Sequence, residues 1–265
     1  MRILFIILLT LLIGENVTLS ANNANKMYVR PAFILASGNL KFVFPQMLQK
    51  FYAKYPDASV HISYRSSGDL MKEILAAEKY DIFFSANKNY AQKVYLKNKS
   101  ATKPKVYAQG ILILFVPPNL PLKKEGLNVL SSDKIKNITV ANKATAPYGV
   151  AAIEALTNSK CCTHTLQKIR YSSDVATAID NVIWEGDAGF LSKSALYMLP
   201  DNRKKEGVDW LEVDPKLYTP IIQAYVVSQN GLKNPNARKF LNFIHSDEGQ
   251  KIFRNNGYKN IKPNK

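Results

Sequence analysis

Residues 60–70 have the sequence VHISYRSSGDL, in which a β-rich run stops at Tyr64 and small polar residues turn the backbone. Apolar residues then recur at helical spacing from Leu70 to Leu75, which predicts an amphipathic helix whose first turn Ser66, Ser67 or Asp69 can cap. The first amides of a helix have no partners inside it, and the peptide dipoles favour negative charge there. This corner therefore has the backbone features of an anion-binding site.

The same strand-turn-helix corner occurs three more times in the chain. One corner follows the expected strand 28–36, and the other two follow the expected strands 136–141 and 169–171. Strands that alternate with helices predict βαβ units and mainly parallel sheets, whose ligands bind at the carboxyl ends of the strands. The four corners lie at Asn39, Ser67, Tyr148 and Ser173-Val175.

The length of 265 residues is enough for one large α/β unit or for two lobes with separate cores. We place the first crossing between lobes just before the β run 106–116 and interpret the run 221–228 as the return crossing. Lobe 1 is then expected to contain residues 25–107 and 219–265, and lobe 2 residues 108–218. If the lobes face each other, the four corners converge on one cleft.

The N-terminus has the pattern of a secretory signal peptide at residues 1–24. Arg2 precedes an apolar run of about a dozen residues, and small residues follow near Ser20. A membrane anchor is the alternative, but the run is shorter than the roughly 20 residues that a spanning helix needs. Because no cysteine lies near the end of this segment, a lipid anchor is not expected. The mature chain should begin between Ala21 and Asn25 and be exported.

The two cysteines are the neighbours Cys161 and Cys162, which are too close along the chain for ordinary disulfide geometry. With His164 they form a Cys-Cys-x-His cluster, but no second group of ligands stands elsewhere in the chain. We therefore interpret the cluster as a polar loop and expect neither a bound metal ion nor a cofactor.

The formal net charge is +16, and the lysines are scattered along the chain. Aromatic residues do not interleave with them in a compact stripe, which argues against nucleic acid as a partner. A positive field would still raise the rate at which a small anion meets the protein.

The sequence lacks two motifs that are common in enzymes. His61, His164 and His245 are the only histidines, and neither a Gly-x-Ser-x-Gly elbow nor a phosphate-binding Gly-x-x-x-x-Gly-Lys loop occurs. An exported hydrolase that uses Ser67 remains the enzymatic alternative, but it would need a base within hydrogen-bond reach.

Five short motifs occur in order along the chain, and a C-terminal helical segment follows them. They are Ala36-Ser37 with Asn39-Leu40, Ser66-Ser67-Gly68 with Leu70, the run 81–86, Ala146-Pro147-Tyr148-Gly149 with Glu154-Ala155-Leu156, and Gly189-Phe190, followed by the segment 237–244. Together these residues resemble the periplasmic molybdate-binding proteins of ABC importers. The resemblance implies a two-lobed α/β fold of the type II periplasmic binding proteins. Each lobe would be a mainly parallel sheet flanked by helices, with the ligand between the lobes.

The resemblance also implies a function and a set of site residues. Asn39 would contact the anion by its side chain and amide, Ser67 by its hydroxyl, and Tyr148 and Val175 by their backbone N–H groups. Ser192 falls near the place where some members offer a tyrosine hydroxyl. Since serine reaches less far, Tyr148 or a water would replace that contact. The implied protein is a monomeric, non-enzymatic periplasmic receptor for molybdate and tungstate, partnered by a membrane permease, with molybdenum present only as the oxyanion.

The chemistry of these anions agrees with such a site. Molybdate and tungstate are fully deprotonated dianions at neutral pH, so their oxygens only accept hydrogen bonds. Hydroxyls and backbone amides suit them, whereas carboxylates repel them, and we therefore expect Asp69 and Asp174 to point away. A receptor for sulfate or another tetrahedral oxyanion is the remaining binding alternative.

Overall fold

The computed structural model describes residues 29–159 and 163–259, and within these it contains two five-stranded sheets with helices around them. The expected signal peptide, Cys161, Cys162 and the side chain of His164 lie outside the described residues. None of the helices in the described ranges has the length and apolar character needed to cross a membrane.

The strands and helices alternate along the chain as the sequence predicts. The strands are β1 (Ala32–Ser37), β2 (Val60–Arg65), β3 (Ile82–Ser85), β4 (Lys105–Gly110), β5 (Leu112–Phe115), β6 (Ile138–Ala141), β7 (Ile169–Ser172), β8 (Ala188–Ser192), β9 (Trp210–Glu212) and β10 (Ile221–Val227). The helices are α1 (Phe44–Lys54), α2 (Ser67–Leu75), α3 (Lys88–Leu96), α4 (Leu122–Glu125), α5 (Pro147–Asn158), α6 (Thr177–Trp184), α7 (Gln229–Lys233), α8 (Pro235–His245) and α9 (Asp247–Asn255).

The first sheet has the strand order β2-β1-β3-β10-β4, and the second has the order β7-β6-β8-β5-β9. In each sheet one strand runs against the others: β10 in the first and β5 in the second. These are the strands by which the chain enters each sheet from the other, so they start at the edge where the parallel strands end. The prediction of two mainly parallel sheets flanked by helices is confirmed.

The run 106–116, which the sequence predicts as one long β segment, instead forms two strands in different sheets. Only Ile111 separates the end of β4 from the start of β5. The chain therefore changes sheets between Gly110 and Leu112, and it returns between β9 and β10. The lobe boundaries at 107/108 and 218/219 stay predictions.

The core of the first sheet is aromatic. The ring of Phe44 meets those of Phe84 and Phe240 edge to face, with centroids 5.5 and 5.6 Å apart. Phe51 meets Phe240 in the same way at 5.2 Å. Edge-to-face pairs add stabilisation beyond the apolar area that they bury. Helix α1 is thereby packed on the sheet, which keeps the preceding turn, Gly38–Phe42, in place.

Replacing Phe44 by alanine should lower the free energy of unfolding by about 3–5 kcal/mol, because the substitution leaves a cavity at a fully buried site. Phe33 is the matched control, since it is 46% exposed on the same sheet and its replacement should cost much less. Urea denaturation of both variants measures the difference, and equal losses would contradict this account of the core.

Candidate functional site

The first corner lies at the start of α2, directly after β2. Ser66 caps this helix, since its Oγ accepts from the backbone N–H of Asp69 at 3.2 Å. The Oγ of Ser67 accepts from the N–H of Ala86 at 3.0 Å, and Ser67 is fully buried. None of the described hydrogen bonds uses the hydroxyl hydrogen of Ser67, so this hydrogen can be donated to a ligand.

The second corner is the short turn Gly38–Phe42 between β1 and α1, and it contains Asn39. The side-chain oxygen of Asn39 accepts from the Ser37 hydroxyl at 2.7 Å. Its Nδ2 donates to Gln223 Oε1 at 3.0 Å and to the Tyr258 hydroxyl at 2.9 Å. Both side-chain N–H groups are therefore used within the protein. In this conformation Asn39 can offer a ligand only its backbone N–H. The contact that was expected through both the side chain and the amide is therefore reduced to the amide.

The other two corners belong to the second sheet. Tyr148 is in the first turn of α5, and its buried phenol accepts from Gln223 Nε2 at 3.1 Å. Val175 lies before α6, next to Asp174, whose Oδ1 accepts from the N–H groups of Ala176 and Thr177 at 2.7 and 3.0 Å. Asp174 thus caps the turn with its carboxylate, but it precedes the first turn of α6, which begins at Thr177, and its expected orientation away from the ligand stays a prediction.

The four corner residues share one property: their backbone N–H groups are available. Within residues 29–159 and 163–259, no hydrogen bond uses the backbone N–H of Asn39, Ser67, Tyr148 or Val175. These residues are only 1, 0, 2 and 4% exposed, respectively. Because buried amides are nearly always paired, four unpaired ones at the strand ends indicate a place for an acceptor.

Contacts between the two sheets bring the corners together in pairs. The N–H of Gly68, next to Ser67, donates to the carbonyl oxygen of Thr145 at 2.8 Å, in the turn before α5. A Cβ on Gly38, next to Asn39, would lie only 3.1 Å from Asp174 Oδ1, next to Val175. Each corner of the first sheet therefore contacts the turn that carries a corner of the second.

Ser192, the fifth expected residue, ends β8 at the same edge and is fully buried. Its Oγ lies 2.9 Å from the Oγ of Ser194, which in turn is 3.4 Å from the carbonyl oxygen of Asn39. The Tyr258 hydroxyl also donates to that carbonyl, at 3.2 Å. Ser192 is thus connected to the Asn39 corner through Ser194.

Neutral donors dominate this edge of the two sheets. Among the described residues the buried carboxylates are Asp81, Asp187 and Asp209, and each precedes a strand, at the opposite edge of its sheet. Asp81 is paired with Arg30 at 2.7 Å and Asp209 with Arg203 at 2.9 Å, whereas Asp187 accepts from the side chain of Asn137. These three carboxylates are therefore kept away from the corners, whereas the half-buried Asp174 lies beside Val175 and accepts from the amides of its own turn.

Burial also keeps the tyrosines of the site neutral. Desolvation raises the pKa of Tyr148, Tyr107 and Tyr258 well above the usual value of a phenol. The phenols consequently act as hydrogen-bonding groups without charge.

Sequence reasoning missed several polar residues of this region. Gln223 and Tyr107 bond at 2.7 Å inside the site, and Tyr258 reaches it from beyond α9. Thr145 Oγ1 is a buried side-chain atom without a hydrogen-bond partner among the described residues. A usable signal existed for Gln223, since it is the one polar residue in the otherwise apolar β10 sequence IIQAYVV.

Comparisons with known proteins find clear relatives. A family model described as bacterial extracellular solute-binding protein matches residues 33–259. A molybdate-binding protein ModA of Azotobacter vinelandii is 25% identical over 198 residues, which are 74% of this chain and 77% of the relative.

Two solved structures share the fold. The periplasmic molybdate-binding protein of Azotobacter vinelandii superposes with a TM-score of 0.76 and 22% identity, covering 87% of this chain and 100% of that one. The sulfate-binding protein SubI of Mycobacterium tuberculosis superposes with a TM-score of 0.69 and 12% identity, covering 88% of each chain. At these identities the structures establish the two-sheet fold alone.

Replacing Gly68 by alanine should oppose contact between the sheets without weakening either one. The new Cβ would lie 2.8 Å from the Cα of Thr145, whereas alanine in place of glycine favours α2 itself. Small-angle X-ray scattering should therefore give a larger radius of gyration at an unchanged or higher unfolding midpoint.

Gly231 is the control, since its Cβ would lie 2.2 Å from the carbonyl oxygen of Asp81, within the first sheet's own lobe. Gly231→Ala should lower the unfolding midpoint without extending the molecule. An unchanged radius for Gly68→Ala would contradict the interpretation that this contact holds the sheets together.

Proposed function

This chain belongs to the family of bacterial extracellular solute-binding proteins, and from that membership we propose that it captures molybdate, and also tungstate, in the periplasm. It would then deliver the anion to the membrane permease of an ABC importer. Members of such a family bind and release their ligands unchanged, so the role is not enzymatic. The molybdate-binding relative supports the choice of ligand.

The observation that carries the proposal is the set of four buried, unpaired amides at Asn39, Ser67, Tyr148 and Val175, together with the free hydroxyl hydrogen of Ser67. All five groups donate, and a fully deprotonated dianion only accepts. Hydrogen bonds to a charged group contribute roughly 1.5–3 kcal/mol each. Several that converge on one anion can therefore replace its water shell without a lysine or arginine contact.

The placement of acceptors supports a fully deprotonated dianion over phosphate. Phosphate keeps a proton near neutral pH and needs an acceptor for it, which a carboxylate at the site would supply. The buried carboxylates are instead at the opposite edges of the sheets, and Asp174 is occupied by the amides of its own turn. A site of donors alone favours molybdate, tungstate or sulfate.

In the proposed complex the four amides and the Ser67 hydroxyl contact the oxyanion, and molybdenum is held only through its oxygens. Ser192 supports the Asn39 corner through Ser194 and does not need to reach the ligand. The protein would work as a monomer, exported by the signal at 1–24, with lobes at 25–107 plus 219–265 and at 108–218.

Sulfate is the second candidate, and the shared fold of a sulfate-binding protein favours keeping it. The donors would serve either anion, so the size of the closed site decides between them. The hydrolase alternative has less support, because Ser67 is bonded to a backbone amide and neither described histidine pairs with it. The ring of His61 stacks on Phe33, and His245 bonds Tyr225.

Calorimetric titration with molybdate, tungstate, sulfate and phosphate tests the ligand. We expect tight binding of molybdate and tungstate and much weaker binding of the other two. Tight binding of sulfate alone would overturn the choice of ligand, and binding of none of the four would overturn the proposed function.

Ser67→Ala tests the site and should weaken molybdate binding roughly 10- to 100-fold, because it removes one hydrogen bond to a charged group. The neighbouring Ser66→Ala is the matched control. It removes the cap of α2, costs about 0.5–2 kcal/mol of stability and should leave affinity nearly unchanged. Equal affinities in both variants would remove Ser67 from the site.

The dependence on pH should be flat through neutrality. The phenols near the site have raised pKa values because they are buried, so they stay neutral, and molybdate is already deprotonated. The stability that depends on neutral phenols is fully present below the unfolded-state pKa of about 10 and is lost as the pH rises further. Titrations between about pH 6 and 9 should thus give one affinity, and an inflection there would implicate a histidine.

A further inference from the structure

Gln223 lies in β10, near the edge where this strand enters the first sheet. We propose that Gln223 is a positioning residue that fastens the Asn39 corner of the first sheet to the Tyr148 corner of the second, and so slows the release of the ligand. This inference rests on the proposed function and adds a residue that would not itself touch the anion.

The side chain of Gln223 makes three hydrogen bonds, and they lead to both lobes. Its Oε1 accepts from Asn39 Nδ2 at 3.0 Å and from the Tyr107 hydroxyl at 2.7 Å, and both partners precede the first change of sheet. Its Nε2 donates to the Tyr148 hydroxyl at 3.1 Å, in the first turn of α5 on the second sheet. A single amide thus connects two proposed ligand corners.

The surrounding backbone is adapted to this connection. A Cβ at Gly110, the last residue of β4, would lie 2.2 Å from the Tyr148 hydroxyl and 2.8 Å from Gln223 Nε2. The register between β10 and β4 also shifts between Gln223 and Ala224. Gln223 is fully buried, and a buried amide is tolerated only when its polar atoms are bonded.

Of the three hydrogen bonds of Gln223, only the one to Tyr148 joins residues on different sheets. The bonds to Asn39 and Tyr107 stay within one lobe and survive opening. The bond between Gln223 and Tyr148 must break, because its two residues lie on different sheets. It therefore stabilises only the closed form, and it orients the turn whose backbone N–H would face the anion.

Two conservative variants separate this role from ordinary packing. Tyr148→Phe removes the bond between the lobes and keeps both the ring and the backbone N–H. Tyr107→Phe removes an equally buried hydroxyl that bonds the same glutamine within one lobe. Both should lower the unfolding midpoint, Tyr148→Phe by more, since it leaves Nε2 of Gln223 unbonded whereas Oε1 keeps the bond from Asn39 in Tyr107→Phe.

Only Tyr148→Phe should change the kinetics of binding. We expect the dissociation rate of molybdate, followed by stopped-flow fluorescence, to rise about three- to tenfold, the equivalent of one ordinary hydrogen bond, at an unchanged association rate. The dissociation rate of Tyr107→Phe should stay near that of the wild type. Equal dissociation rates in wild type and Tyr148→Phe would overturn the positioning role.

A second readout works without any ligand. The N–H of Gly68 is bonded across the sheets, so its hydrogen exchange reports their separation. Exchange at Gly68 should be faster in Tyr148→Phe and unchanged in Tyr107→Phe, and equal exchange in all three proteins would overturn the bridge. If the wild type binds no oxyanion, the proposed function fails, whereas exchange at Gly68 still decides whether Gln223 connects the lobes.

Discussion

A buried peptide N–H needs an acceptor, and the structure leaves this requirement unmet at four neighbouring turns. Each unpaired buried donor costs about 1–3 kcal/mol, so four of them favour any ligand that brings acceptors. The arrangement follows from strand direction. The parallel strands of both sheets end at one edge, and only β5 and β10 start there. The turns that follow the parallel strands therefore face each other across the two sheets.

In the proposed function, attraction and recognition of the anion would be carried by different parts of the molecule. The net charge of +16 is spread over the surface and draws in anions of every kind. The buried groups at the four corners are neutral, and the tyrosines beside them are kept neutral by burial. A distant field cannot distinguish one dianion from another, so selectivity has to come from the number and direction of short contacts. An all-donor site rejects a protonated anion because the anion's O–H would be left without an acceptor.

Local signals in the sequence were sufficient for most of the strands and helices and for the turns at the four corners. Each corner combines a β-rich run, small polar residues and a helical repeat, and all of these lie within a short stretch. The division of the run 106–116 was missed because both strands are mostly apolar and only Gln109 and Gly110 interrupt that pattern. The sequence also did not reveal that the Asn39 side chain is hydrogen-bonded within the protein. Its partners Gln223 and Tyr258 are 184 and 219 residues away along the chain, and local patterns do not carry such pairings.

The position of β10 has a consequence for biosynthesis. This strand lies between β3 and β4, and among the strands of the described residues it is the only neighbour of β4. It is also made after every strand of the second sheet, so the first sheet remains in two pieces until the chain is almost complete. Contacts between such distant segments form slowly. The first sheet is therefore expected to close late in folding, after all the strands of the second sheet have been made.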